Sequence, residues 1–175
     1  MQHSYTFRSG QFELRPLYEG DIEKLRIWRN NTQLNRYITP IAPITYEMQR
    51  AWYEDYCKSD DELIFAICFS GSLSGSVSLY HITDDTAEFG RLMVGENRGC
   101  GLGKFATKAC ARIAFESLRL NALSACVTVK NISALRIYVD VGFVIDGVRF
   151  NSQLGQDEYI ISLSKERFLA LNCAC

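Results

Sequence analysis

The residues with the clearest chemical purpose stand close together in the middle of the chain. Gly99, Gly101 and Gly103 alternate, with Arg98 before them and Lys104 after, in the stretch Arg91 to Ala106. Glycines at this spacing let the backbone take positive φ and lie against a ligand without a Cβ in the way. A strand ends just before them and an apolar-periodic helix opens just after, so backbone N–H groups gather at a helix N-terminus, where negative charge is stabilised. The arrangement reads as a cradle for a pyrophosphate, with Gly99, Cys100, Gly101, Leu102 and Gly103 supplying amides and Arg98 and Lys104 adding charge.

Three nucleotide motifs compete for these residues. A Walker loop wants Ser or Thr after Gly-Lys and a glycine five residues upstream, but Phe105 follows Lys104 and Arg98 holds the upstream place. Gly101, Gly103 and Ala106 satisfy the G-x-G-x-x-A form of the dinucleotide fingerprint. That motif wants an acidic residue at the end of the next strand, where this chain has Val129-Lys130-Asn131. The third is R/Q-x-x-G-x-G, met by Arg98, Gly101 and Gly103. A glycine-rich connection without a ligand is the plain alternative.

A second group lies downstream. Asn131 stands at a strand end, and Tyr138 follows seven residues later, two helical turns on and nearly the same face. Asn131 or Ser133 is placed to cap this helix, giving a second N-terminus able to face a phosphate or amide oxygen. A tyrosine on this face has two uses, a core aromatic or a proton donor held along the helix.

The elements that must position these groups follow from periodicity. Phe12 to Leu17 alternates and reads as a strand, and Gly20-Asp21 opens a helix through Ile22, Leu25 and Trp28. Tyr46 to Cys57 carries a helical stripe of Tyr46, Trp52, Tyr53 and Tyr56. Strand patterns then cover Leu63 to Phe69, Leu73 to Tyr80 and Ala87 to Val94, a meander. A central helix, Leu102 to Leu118, puts Phe105, Ala109, Ile113 and Leu118 inward. A strand at Leu123 to Val129, a helix at Ser133 to Val141 ended by Gly142, and a hairpin of Val144 to Phe150 with Glu158 to Leu163 complete the pattern, and Ser164 begins an amphipathic turn.

The 175 residues suit one domain, 1–175, of mixed α/β (α+β) class. A net charge near −1 gives no electrostatic footprint for nucleic acid, and no apolar run approaches the ~18 residues of a membrane span. The first residues lack the apolar core of a signal peptide, which points to the cytoplasm. Seven cysteines without C-x-x-C, and only His3 and His81 to join them, support neither a disulfide framework nor a metal site. Cys68, Cys110 and Cys126 are expected in the core, with Cys173 and Cys175 on a frayed tail.

The loop R-x-x-G-x-G with the later N-x-x-A-x-x-x-Y-x-x-x-G-F (Asn131, Ala134, Tyr138, Gly142, Phe143) resembles the GNAT superfamily of N-acetyltransferases. The opening Leu14-Arg15-Pro16-Leu17, Asp21 and Leu25 is similar to its Rim-type branch, which acetylates ribosomal proteins and small molecules. The resemblance implies a mostly antiparallel sheet of about six to seven strands, splayed between two parallel strands, with about four flanking helices. It implies acetyl-CoA as co-substrate and no metal. The pantetheine arm would enter between Ala87–Val94 and Leu123–Val129 and pair with Leu92, Met93 and Val94. The Arg98 to Lys104 loop would take the pyrophosphate, with Asn131, Ser133, Ala134 and Ile137 along the arm. Cys100 departs from the basic residue frequent in relatives, which would weaken the grip on CoA and place a thiol beside it.

By the same resemblance Tyr138 lies near the thioester sulfur as general acid, backbone amides near Val94 face the oxyanion, and Glu88 stands near the place of a glutamate base, with His81 a second candidate. Trp28-Arg29-Asn30 is similar to a Rim-type turn in enzymes of nucleotide-linked amino sugars, and an Arg and an Asn beside aromatics suit a phosphate or sugar. Three functions remain open. The first is acetyl transfer to a small-molecule amine such as an amino sugar nucleotide, by a monomer or homodimer. The others are protein N-terminal acetylation and acyl-CoA binding without turnover.

Overall fold

The computed structural model describes residues 3–38 and 42–172. One sheet of eight strands runs in the order β1 (Phe7–Ser9), β2 (Phe12–Pro16), β3 (Leu63–Phe69), β4 (Ser72–Tyr80), β5 (Thr86–Val94), β6 (Ala122–Thr128), β8 (Gln156–Ser164), β7 (Val144–Asn151). Every neighbouring pair is antiparallel except β5 with β6. Among the described residues five α-helices flank it: α1 (Ile22–Asn30), α2 (Tyr46–Lys58), α3 (Leu102–Arg112), α4 (Ile132–Val141) and α5 (Lys165–Asn172).

The strand and helix counts exceed the expected six to seven and four. β1 is a three-residue strand hairpinned onto β2 through Gly10 at φ +57°, too short to show an alternation. The terminal turn expected after Ser164 runs on as α5. The central helix does not continue to Leu118 as α-helix, because Ile113–Ser117 widens into a π-helical turn. Phe105 and Leu118 are only half-buried, while Ala109 and Ile113 are in the core.

The two faces of β3 explain the layers. Its run Leu-Ile-Phe-Ala-Ile-Cys-Phe is apolar throughout because both faces are covered. Leu63, Phe65 and Ile67 join the core under α3 and α4, while Ile64, Ala66 and Cys68 join a second core with Leu25 and Trp28 of α1 and Tyr56 of α2. Each large side chain so buried contributes about 1.5–3 kcal/mol. On β4 the corresponding second face is Ser76 and Ser78. Where β3 has bulk, β4 is therefore hollow.

β5 changes phase partway. Ser78 pairs with Gly90 and Ser76 with Met93, so Arg91 and Leu92 together oppose Val77. Arg91 sits at φ +53°, and the extra residue makes a β-bulge. Before the bulge Ala87 and Phe89 enter the α3/α4 core; beyond it Leu92 and Val94 pack there, and Met93 joins the opposite core. On β6 the inward set is Leu123, Ala125 and Val127, so Cys126 is exposed and not a core residue as expected. Cys68 and Cys110 are buried, and Cys173 and Cys175 lie outside the described residues. No helix among the described residues is long and apolar enough to cross a membrane.

Candidate active site

The parallel pairing of β5 with β6 covers only Thr86–Glu88 against Ala122–Ser124. Past Glu88 the two strands separate, so the β6-facing backbone groups of Phe89 to Val94 have no strand partner there. The wedge opens toward the glycine loop and toward α4.

In the loop, Gly99 and Gly101 have φ of +84° and +89°, and a Cβ on either would meet nothing within 4 Å. The first intrahelical bond of α3 runs from the Phe105 N–H to the Gly101 carbonyl at 3.0 Å, leaving the amides of Leu102, Gly103 and Lys104 without an intrahelical acceptor. The room at the glycines and these amides fit a pyrophosphate. Gly103 has a different job from the other two. It is helical, and a Cβ there would stand 3.0 Å from Ile137, so it lets α4 come close. Arg98 Nε donates to the Val94 carbonyl at 2.9 Å, folding the loop back on β5. Lys104 is ion-paired with Asp140 of α4 at 2.9 Å, and Cys100 is exposed. We expect Gly101→Val to raise the Kd for CoA about tenfold in calorimetric titration, because the branched side chain is strained at positive φ and fills the cradle.

Asn131 caps α4, its Oδ1 accepting from the Ala134 N–H at 3.3 Å and from Ser133 Oγ at 3.1 Å. Two turns on, Tyr138 is 7% exposed, edge-on to Phe89 at 5.6 Å and against Phe143 at 5.8 Å. Burial pushes its phenol well above the usual tyrosine range, and the nearby Tyr80 adds to this. The hydroxyl therefore stays protonated.

Glu88 marks the last paired rung of the wedge. Its Oε1 lies 3.0 Å from His81 Nδ1, which brings the two candidate bases into contact. Tyr80 is the register partner of Glu88 across β4 and β5. Its ring lies over Gly90, where a Cβ would be 3.0 Å from the hydroxyl, and the Arg91 guanidinium sits 4.4 Å above the ring. Burial, then the Glu88 charge, pushes the Tyr80 hydroxyl up to about 12.

On the opposite side of the sheet from α3 and α4, the hollow over β4 is a cavity of about 560 Å³. Ser76 and Ser78 make its floor, Arg91, Met93, Ile64 and Glu62 its sides, and Leu25, Arg29, Ile44, Met48, Gln49 and Trp52 its roof. The bulge is what turns Arg91 and Met93 into it. The three acceptor-side candidates divide. Arg29 lines the cavity. Asn30 holds the roof, its Nδ2 donating to the Ile44 carbonyl at 2.9 Å and its Oδ1 accepting the Ile44 N–H at 2.8 Å. Trp28 is buried behind the site, its indole against Gly95, where a Cβ would fall 2.2 Å from the ring. Tyr80, Arg91 and Glu62 were missed in the sequence. They come together only through the register of β4 with β5 and the bulge.

Residues 11–144 match the family model described as Acetyltransferase (GNAT) domain. Acetyltransferase PseH of Campylobacter jejuni is 25% identical over 125 residues, 71% of this chain and 78% of that protein. Spermidine N(1)-acetyltransferase of Escherichia coli K12 is 28% identical over 137 residues, 77% of this chain and 74% of that one. Among solved structures, spermidine N-acetyltransferase of Vibrio cholerae in complex with CoA and spermine matches with a TM-score of 0.83 at 23% identity, over 91% of this chain and 98% of that one, a likeness of fold.

Proposed function

The chain belongs to the GNAT acetyltransferase family, and from that premise we propose that it transfers acetyl from acetyl-CoA to the primary amine of a small molecule. The observation that carries this reading is the wedge. The free edge of β5 leads from the glycine cradle back to Phe89, against which the ring of Tyr138 packs, and the cavity opens on the other side of the same strand. Bound acetyl-CoA would supply the activated acetyl thioester. The amides of Gly99 to Lys104 hold its pyrophosphate, with Arg98 beside them. The backbone of Leu92, Met93 and Val94 lines its arm, together with Asn131, Ser133, Ala134 and Ile137 from α4.

An ammonium group must lose a proton before it can attack, and the departing thiolate leaves more readily when protonated. Glu88, with His81 against it, takes the first proton, and Tyr138 gives the second. Backbone N–H groups near Val94 stabilise the developing oxyanion.

A cavity roofed by α1 and α2, with Asn30 fastening Ile44 over it, fits a compact acceptor better than a peptide, which needs a groove open at both ends. The relatives named above are a PseH and spermidine acetyltransferases, so the Rim-type branch and its protein acceptors stand as the second reading. The test is thiol release from acetyl-CoA with amino sugars, polyamines and ribosomal-protein N-terminal peptides. Turnover on free amines is the expected result. Turnover on peptides alone would establish the second reading, and CoA binding without turnover on any amine would mark a binding module.

A further inference from the structure

We propose that the cavity holds an oxyanion seat: Arg29 takes a phosphate or carboxylate group of the amine that is acetylated. This rests on the small-amine reading above and narrows its substrate class. The cavity is lined by two guanidinium groups, Arg29 and Arg91, against one carboxylate, Glu62. Glu62 is ion-paired with Arg91. Among the described residues no carboxylate lies within ion-pairing distance of Arg29, although the residue is half-buried and lines the same cavity as Arg91. Burial, then the second guanidinium, lowers its pKa, the cost of holding a cation there without a counter-charge.

The backbone around Arg29 is held by hydrogen bonds. Asn35 Nδ2 donates to the carbonyls of Trp28 and Arg29 at 2.8 and 2.6 Å, tying down the last turn of α1. Asn30, next in sequence, clamps Ile44 above the cavity. Arg29 thus presents a planar, charged fork from an anchored helix end, and such a fork grips an oxyanion through two N–H donors. A bound oxyanion would supply the missing counter-charge and leave the amine to lie toward Arg91 and the bulge. A polyamine has the opposite fit. Its several ammonium groups would meet two guanidinium groups and a carboxylate already engaged. An amino sugar nucleotide is one member of the favoured class.

The experiment compares glucosamine, glucosamine 6-phosphate, 2-amino-2-deoxygluconate and spermidine as acceptors for the full chain, with Arg29→Gln and Arg29→Lys beside it. The wild type is expected to prefer the phosphate or the carboxylate compound over glucosamine by roughly 10- to 100-fold in kcat/KM, the worth of a charged hydrogen-bonded contact. The phosphate and carboxylate arms tell which anion the seat takes. Arg29→Gln should abolish the preference through KM, and Arg29→Lys should restore part of it. Spermidine as the best acceptor, or a preference unchanged in Arg29→Gln, overturns the seat. Calorimetric binding of glucosamine 6-phosphate to the CoA-loaded chain separates the two claims. Binding that Arg29→Gln weakens upholds the seat even where no amine is acetylated, a result that would sink only the catalytic reading. No binding together with no anion preference overturns the seat itself.

Discussion

Replacing Tyr138 with phenylalanine should lower kcat by roughly 10²- to 10⁴-fold, the usual worth of a positioned proton donor, while the Kd for CoA stays within about twofold. The substitution removes one oxygen and keeps the ring, so the packing against Phe89 and Phe143 is preserved. A structural tyrosine would give the reverse pattern, with altered stability and normal turnover. Stopped-flow thiol release and calorimetry with CoA read the two quantities separately. The loss should persist across the pH range in which the enzyme is folded, because burial holds the phenol protonated well past the usual tyrosine range. A kcat within about threefold of wild type would remove Tyr138 from the chemistry and leave it as core.

The same burial has a consequence for stability. A phenol whose pKa is raised in the folded chain leaves stability intact below about pH 10, where tyrosine is neutral in both states. Above that, the unfolded chain ionises first and stability falls as pH rises toward the folded value. Tyr80, at about 12 in the folded chain, acts in the same direction.

What was legible in advance was whatever a local pattern encodes. The glycine turn ahead of α3 and the Asn131 to Tyr138 spacing on α4 are helix-start signals written in a few adjacent residues, and both elements stand where the spacing put them. The apolar run of β3 announced a buried strand for the same reason. The bulge at Arg91 was not legible, since one inserted residue leaves the alternation on either side intact and only shifts its phase. With that phase hidden, neither the turning of Arg91 into the cavity nor the ring of Tyr80 over Gly90 had a signal in the sequence. Gly103 illustrates a subtler limit. Three alternating glycines suggest one purpose, yet two stand at positive φ with open space beside them and the third admits Ile137. Cys126 is a matter of parity, because a one-residue step decides which face of a strand a side chain takes.

Glu88→Gln should cost about 10²-fold or more in kcat/KM near pH 7, with a deficit that shrinks as pH rises. The amide keeps the size of the carboxylate but cannot accept a proton, so the change isolates basicity from shape. At neutral pH an aliphatic amine is overwhelmingly protonated, its pKa being near 10.4 for a lysine-like group, and the variant must wait for the rare neutral form. Raising the pH supplies that form from solvent, which is why the two enzymes should converge on the alkaline side. Glu88 is placed for this at the last rung before the strands part, with Tyr80 across the ladder and His81 at 3.0 Å. His81→Ala tests the alternative base directly. If histidine were the acceptor of the proton, its removal would cost more than Glu88→Gln. A Glu88→Gln enzyme within about threefold of wild type at pH 7, together with an unimpaired His81→Ala, would mean that the proton leaves through water, and that the wedge contributes alignment and oxyanion stabilisation but no base of its own.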